Sequence, residues 1–239
     1  MSHRARGCGH APFLPVLNMG FVLREGVSFC ESSGRLVFLD VASDRYFCLE
    51  SEADRALRRL TGGETLTRED EIVLADLVAD GLLAPASEGA RPQVCSPPPE
   101  PEYSLIDEDL PVGSGALAHA LWRLARSALA LKVRPLGAII ASTVQRKAQL
   151  GPEAEAFAPI AAEVARAFKR SALFAAPLDR CLPRSFATTH ALLDRKVRPD
   201  LVFGVRLHPF GAHCWVQHGR TLVNETLDQV RNFTPILVV

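Results

Sequence analysis

The chain has no excess of charge of either sign, and this absence argues against one broad class of partner. Its 239 residues contain 27 lysines and arginines and 27 aspartates and glutamates, so the formal net charge is zero. Proteins that bind nucleic acids through the phosphate backbone usually carry a basic excess or a basic stripe. We therefore expect no nucleic-acid partner.

The sequence also has no uncharged hydrophobic run long enough to cross a bilayer. The stretch 117–144 is rich in Ala and Leu, but four Lys and Arg side chains interrupt it, and charges are costly inside a membrane. Near the N-terminus, Pro12 and Pro15 break an apolar run that no small-residue cleavage site follows. We expect neither a secretory signal nor a membrane partner.

Motifs for metals, cofactors and phosphates are missing as well. The six cysteines form no CxxC pair and no regular spacing, which favours reduced thiols and a cytoplasmic location. His213, Cys214 and His218 are metal-ligand types, but neighbouring strand residues point to opposite faces and cannot reach one ion. With no glycine-rich phosphate loop either, we expect no metal and no cofactor.

A proline-rich segment divides the chain. Residues 85–104 hold six prolines together with Gly, Ser and charged residues, a composition that sustains neither a helix nor a sheet. We predict an N-terminal tail at 1–21, a first domain at 22–84, a semi-rigid linker at 85–104 and a second domain at 105–239.

The first domain has the pattern of a small α+β module. Three β-branched and aromatic runs, bounded by turn residues, predict an antiparallel meander over 27–30, 35–40 and 44–49. Helical patterning follows from Ser51 and again from Thr67, where Asp70 completes a near capping box. Strands followed by helices in this order fit a winged-helix-like module.

The second domain is also predicted to be α+β, with helices first and an antiparallel sheet second. Helices are expected at 116–132, 136–149 and 153–168, the last with a kink or break at Pro159, and a further helix begins at Cys181. Strands are expected at 201–207, 212–218 and 220–225.

Cys181 is the candidate nucleophile. Pro183 is tolerated only in the first turn of a helix, so it places Cys181 at or just before the helix start. There the positive end of the helix dipole and free N–H groups lower a thiol pKa, and the same N–H groups can hold an oxyanion. A lone cysteine is usually buried and inert, but this position favours catalysis.

His213 is the candidate base. Strand alternation places His213, Trp215 and Gln217 on one face, which suits a cleft wall better than a core, while Cys214 points away as packing. His190 competes for this role, but it lies about two and a half turns from Cys181 on the same helix. A thiol activated by a base, which a third group orients, points to acyl-transfer chemistry.

Three residues are candidates for that third, orienting group. Glu225 ends the strand that follows His213, its neighbour Asn224 offers the same hydrogen bond without charge, and Asp228 is a weaker choice.

The segment from Cys181 through LVFGVRL and GAHCWVQHGRTLVNE to FTPIL resembles the transglutaminase-like cysteine peptidases of lasso-peptide biosynthesis. The resemblance covers about residues 115–239 and implies a papain-like α+β fold, with Cys181 as nucleophile, His213 as base and Glu225 as orienting acid. That family usually has Asp where this chain has Glu225. The resemblance also implies two partners, a ribosomally made precursor peptide and an asparagine-synthetase-like macrolactam cyclase.

Residues 22–84 resemble the PqqD-like leader-recognition domain of peptide-maturation systems. The resemblance implies that a leader peptide adds as a strand beside the third β-strand and against the last helix. The implied contacts are Tyr46, Phe47, Cys48, Leu49, Leu74, Leu77 and Asp80.

The order of a leader-recognition domain, a linker and a peptidase domain predicts a leader peptidase. Such an enzyme removes the leader from its precursor during lasso-peptide maturation. Two alternatives remain open at this point. The same three side chains serve transglutaminase-type acyl transfer to an amine, and a non-catalytic adaptor would present the precursor to a partner.

Overall fold

The computed structural model describes residues 20–107, 111–152, 157–175 and 180–239. Residues 1–19 of the predicted N-terminal tail lie outside the described part of the chain. Among the described residues, none of the helices combines the length and the apolar character needed to cross a membrane.

The N-terminal module consists of five strands and two helices. In chain order these are β1 (Gly20–Leu23), β2 (Val27–Ser32), β3 (Arg35–Asp40), β4 (Arg45–Cys48), α1 (Ser51–Gly62), α2 (Arg68–Ala79) and β5 (Leu83–Ala86). Strands β2, β3 and β4 form the predicted antiparallel meander, in that spatial order. This part of the fold is α+β, as expected.

Local sequence signals fix both helices. Gly63 ends α1 in the left-handed conformation at φ +76°, a backbone geometry that suits glycine. Thr67 and Asp70 form a reciprocal capping box at the start of α2, with each side chain accepting the other residue's N–H. The predicted capping signal at Thr67 is confirmed.

Two strands of this module were not predicted. Strand β1 pairs antiparallel with β5, from Gly20 opposite Ala86 to Leu23 opposite Leu83. Gly20 and Phe21 therefore belong to a strand rather than to a tail, and Pro85 and Ala86 to a strand rather than to the linker. β5 contains a proline, which is compatible with the edge of a two-stranded sheet.

The segment from residue 87 to residue 102 has no helix or strand, but hydrogen bonds attach it to both halves of the protein. The Cys95 amide donates to the Phe29 carbonyl in β2 at 2.8 Å, and the Gln217 side-chain amide donates to the Pro99 carbonyl at 2.9 Å. The segment therefore runs along the surface as a strap with fixed contacts.

The described residues of the C-terminal part form five α-helices and five strands. In chain order these are β6 (Tyr103–Ser104), α3 (Ser114–Val133), α4 (Leu136–Gln149), α5 (Phe157–Ala175), α6 (Cys181–Leu193), β7 (Asp200–Arg206), β8 (Gly211–His218), β9 (Thr221–Leu222), α7 (Leu227–Val230) and β10 (Thr234–Val238). The sheet order is β10-β7-β8-β9-β6. All pairs are antiparallel except β6 with β9, which is parallel.

Four sequence expectations change in this half. Within the described residues, helix α5 runs without interruption from Phe157 to Ala175 through Pro159, so the predicted break at Pro159 is absent there. The predicted strand 220–225 ends at Leu222, and β10 was not predicted at all. Tyr103 and Ser104, which were assigned to the linker, form strand β6. The start of the third predicted helix, at 153–156, lies outside the described residues.

One hydrophobic core joins the two halves. Cys30, Val37, Leu39 and Val41 from the N-terminal meander pack into the same buried cluster as residues of α3, α5, α6 and β7. The opposite face of the meander, with Phe29 and Phe38, packs on α1 and α2. The meander is thus buried on both faces. The face that carries Cys30, Val37, Leu39 and Val41 completes the core of the C-terminal part.

Candidate active site

Cys181 is the first residue of α6, as Pro183 predicted. Arg180 is the N-cap in an extended conformation, and its side chain makes no capping hydrogen bond. Pro183 is the third helical residue and has no N–H to satisfy. The free N–H groups of this first turn and the positive end of the helix dipole therefore lie at the Cys181 thiol.

His213 and Glu225 form a hydrogen-bonded pair beside this thiol. His213 Nε2 lies 2.7 Å from Glu225 Oε2, and both side chains are largely buried. Glu225 Oε1 in turn accepts the Thr226 N–H at 3.0 Å, which fixes the orientation of the carboxylate. The structure therefore brings together the three side chains that the sequence singled out.

The Cys181 thiol interacts with the His213 side chain and with both the side chain and the backbone of Cys214, and each interaction lowers its pKa. Cys214 is 3% exposed. The prediction that Cys214 points away from His213 and packs in the core is confirmed, but its influence on the Cys181 pKa was not predicted. The Cys214 and His213 side chains point to opposite faces of β8, but the Cys181 side chain interacts with both of them.

The pKa values of the site favour an ion pair between thiolate and imidazolium. Hydrogen bonding from the Cys214 thiol lowers the pKa of Cys181, burial opposes this, and the hydrogen bond and charge of His213 lower it further. The pKa of the buried Cys214 rises correspondingly. Burial disfavours the charged form of His213, but the hydrogen bonds to Cys181 and Glu225 outweigh it and raise its pKa to about 9.

Glu225 stays ionised in this environment. Burial acts to raise its pKa, but the hydrogen bonds from His213 and from the Thr226 N–H outweigh that effect, so the pKa lies below its ordinary value. An ionised carboxylate only accepts hydrogen bonds, so His213 Nε2 carries the proton of this pair. The other ring nitrogen, Nδ1, is left for proton exchange with Cys181.

Asn224, the uncharged alternative, has a different function in the fold. It is buried, accepts the Val216 N–H at 2.7 Å and donates to Ser185 Oγ at 2.9 Å. Because β9 ends at Leu222, this side chain continues the hydrogen bonding to β8 beyond the end of the strand. Asp228 lies at an exposed position, so Glu225 alone of the three candidates contacts the imidazole.

Aromatic rings hold the imidazole in place. The His213 ring stacks near Trp215 with ring centres 6.4 Å apart and lies 5.2 Å from the Phe233 ring. Gly204 of β7 pairs directly with His213. A Cβ at Gly204 would lie 2.6 Å from Trp215 Cζ3, so only a glycine leaves room for this arrangement. Neither Gly204 nor Phe233 was predicted from the sequence to support the site.

A cavity of about 420 Å³ opens beside the nucleophile. Its walls are mainly aliphatic, from Leu131, Leu182 and Pro183, with Lys132 and Arg180 also lining it. A cleft of this size and character can hold an extended peptide segment against the thiol.

His190 does not belong to this site. It lies at the opposite end of α6, where its Nδ1 is 3.1 Å from Arg146 Nη1. Burial and then the charges of Arg146 and Arg123 lower its pKa to about 4, so its imidazole is neutral. Among the described residues, no group of three His, Cys, Asp or Glu side chains could hold a metal ion.

The residues expected to bind a leader peptide fall into two groups. Leu49, Leu74 and Leu77 are buried in the core between the meander and the two helices, with 9%, 0% and 7% exposure. Leu74 and Leu77 are therefore unable to touch a peptide unless the core opens, and their expected contact role is wrong for this conformation. Tyr46, Phe47, Cys48 and Asp80 retain exposed surface.

Strand β4 is an edge strand of the meander, and it also faces the candidate active site. In the described part of the chain it pairs with β3 only. The Tyr46 ring contacts the Phe210 ring with centres 5.7 Å apart. Burial raises the pKa of the Tyr46 phenol, and the nearby Cys214, Asp44 and Cys181 raise it further.

A helix that starts at a cysteine and packs on a sheet carrying a histidine and a carboxylate is the arrangement of papain-like thiol enzymes. The comparison of families agrees with this class. Residues 120–238 match the transglutaminase-like superfamily, so the chain contains a domain of that superfamily. The match runs from within α3 to the end of β10 and includes all three residues of the site. No curated protein and no solved structure is significantly similar to the chain.

Proposed function

We propose that this protein is a cysteine peptidase that removes the leader from a ribosomally made precursor during lasso-peptide maturation. The observation that carries the proposal is the position of Cys181 at a helix start, within reach of a histidine that Glu225 holds at 2.7 Å. The low pKa of Cys181 and the raised pKa of His213 supply a thiolate and a proton donor together.

In the first step, the Cys181 thiolate attacks the scissile carbonyl carbon and forms a C–S bond. The carbonyl electron pair moves to oxygen, where free N–H groups of the α6 first turn stabilise it. The C–N bond then breaks as protonated His213 gives its proton to the leaving amine. This leaves a thioester on Cys181 and a neutral imidazole.

In the second step, neutral His213 takes a proton from water, which attacks the thioester carbonyl. Collapse of the second tetrahedral intermediate breaks the C–S bond and releases the leader as a carboxylic acid. Glu225 remains ionised throughout and stabilises the imidazolium each time it forms. The core peptide, with its new amino terminus, would then pass to the macrolactam cyclase.

Replacing the nucleophile tests the reaction directly. Cys181→Ala should abolish cleavage of a precursor peptide, measured by mass spectrometry, because no other group can form the thioester. Cys95→Ala, which removes a half-buried thiol from the strap, should cleave at the wild-type rate. Leader removal by purified Cys181→Ala would refute the proposal.

The same proposal gives β4 the task of holding the leader. An unpaired edge binds an extended peptide through main-chain hydrogen bonds, and pockets for alternate side chains add specificity. Tyr46 links this edge to the site, because it lies close enough to Cys181 and Cys214 for their charges to influence its pKa. Phe47, Cys48 and Asp80 complete the proposed contact surface.

Hydrogen exchange tests this capture role without altering the protein. A leader peptide should slow exchange of the amides in Arg45–Cys48, because edge amides become hydrogen-bonded. The interior strand β3, Arg35–Asp40, provides the internal control and should change little. Equal protection of both strands, or none, would contradict leader binding at this edge.

Membership of the transglutaminase-like superfamily favours one second reaction. The thioester can pass its acyl group to an amine in place of water, with the same residues in the same roles. Precursor incubated with an excess of a primary amine would then yield an amide conjugate, whereas a peptidase yields mainly the free carboxylic acid.

A further inference from the structure

A second cavity, of about 300 Å³, lies between α3, α4 and the C-terminal half of α6. Four arginines line it, and the described lining residues include no acid. Those arginines are Arg123, Arg126, Arg134 and Arg146. Because His190 lies nine residues beyond Cys181 on α6, this cavity is roughly 13 Å along the helix from the nucleophile.

A single carboxylate partly neutralises the four guanidinium groups. Asp194, just outside the cavity lining, forms ion pairs with both Arg123 and Arg146. Within the described part of the chain, Arg126 and Arg134 have no acidic partner. Arg134 makes only a long hydrogen bond of 3.4 Å to the Ala138 carbonyl. The cavity thus keeps a clear excess of positive charge.

Two further observations indicate that other described groups of the protein do not fully satisfy these arginines. Arg123 Nε is buried and has no hydrogen-bond partner among the described atoms, and such orphaned donors are rare in folded proteins. His190 lines the same cavity, and burial together with Arg146, Arg123 and Arg126 holds its pKa well below the ordinary value. Asp194 acts in the opposite direction but does not offset these effects, so the imidazole lies in a net positive environment.

We propose that this cavity is a binding site for a small multivalent oxyanion of phosphate or carboxylate type. Guanidinium groups present planar pairs of donors that match such oxygens. Ser127 and Ser142 add hydroxyl groups to the wall. The volume equals that of about ten water molecules, which suits a compact anion such as pyrophosphate or citrate.

Calorimetric titration of the full-length protein tests the proposal with those two anions at constant ionic strength. The wild type should bind at least one of them saturably, with a Kd below about 1 mM. The variant Arg126→Gln/Arg134→Gln removes two exposed arginines that support no ion pair among the described residues, so its fold should be retained. Its affinity should fall at least tenfold.

A matched control removes the same amount of charge elsewhere. Arg55→Gln/Arg68→Gln alters two exposed arginines on α1 and α2, and it should bind the anion as the wild type does. Equal weakening in both double variants would show a non-specific charge effect and would overturn the proposal. So would a failure of the wild type to bind either anion up to about 10 mM.

The two anions also distinguish the source of the ligand chemistry. Tighter binding of pyrophosphate would indicate a phosphate ligand, and tighter binding of citrate a carboxylate ligand. Either result supports the site, provided that the cavity variant weakens it and the control does not.

Discussion

Glu225 Oε2 accepts a hydrogen bond from His213 Nε2 at 2.7 Å, on a bend that immediately follows a very short strand. A glutamate thus occupies the position at which the resemblance noted in the sequence implies an aspartate. The contact fixes which ring nitrogen carries the proton, and it is one of the causes that raise the pKa of His213.

The first prediction concerns the pH range of activity. Cys181 is ionised above its pKa of about 4, and His213 is protonated below its pKa of about 9. The thiolate–imidazolium pair therefore exists between these values, and kcat/KM should fall on both sides. Glu225→Gln removes the negative charge that favours imidazolium, so the alkaline limb should move to lower pH.

His213→Ala is the comparison for that variant. It removes the proton donor and should lower kcat/KM by about 10²–10⁴-fold, whereas Glu225→Gln should lower it less. An alkaline limb that stays in place in Glu225→Gln would mean that the carboxylate does not set the His213 pKa.

The second prediction concerns Cys214. Its interaction with Cys181 is the largest of the causes that lower the Cys181 pKa. Cys214→Ala should therefore raise that pKa, which the pH dependence of iodoacetamide labelling at Cys181 measures. Cys30→Ala is the matched control, because it also removes a buried thiol, at a place where the Cys181 pKa should not respond. An unchanged labelling profile in Cys214→Ala would exclude this role.

The third prediction concerns the space at Gly204. A Cβ there would lie 2.6 Å and 2.9 Å from two atoms of the Trp215 ring, which is almost fully buried and has no room to move. Gly204→Ala should cost about 1–3 kcal/mol of unfolding free energy and displace the rings that hold His213. Gly115→Ala, where nothing lies within 4 Å, should not destabilise the protein. Thermal unfolding and kcat/KM measure the two effects.

The fourth prediction concerns the strap. Buried Gln217 donates to the Pro99 and Gly219 carbonyls and accepts from Trp215 Nε1. Gln217→Ala leaves these groups without partners, and each costs about 1–3 kcal/mol when unpaired and buried. The strap should then be cut faster in limited proteolysis. The exposed Gln93→Ala should leave the cutting rate unchanged, and equal rates in both variants would count against a docked strap.

Local sequence signals predicted much of the site. Pro183 can stand only in a first turn, and that rule located the helix start at Cys181. Strand alternation placed His213, Trp215 and Gln217 on one face, and the contacts among them confirm it. These inferences succeeded because each depends on backbone geometry within a few residues.

Features that depend on contacts between distant parts of the chain could not be predicted in this way. The pairing of β1 with β5 joins residues 20–23 to residues 83–86. A short apolar stretch does not indicate which distant segment it will pair with. The amphipathic pattern of α2 did not reveal whether Leu74 and Leu77 face a groove or a core. The contact between Cys214 and Cys181 likewise depends on how α6 crosses the sheet.

The meander that is buried on both faces has one more consequence. Cys30, Val37, Leu39 and Val41 supply interior surface that the C-terminal part does not provide for itself. Without the first 84 residues, the apolar surface that these side chains cover would be exposed to water. The remaining C-terminal fragment should therefore aggregate rather than fold. Heating the intact chain should accordingly unfold both halves in one cooperative step, because they share one hydrophobic core.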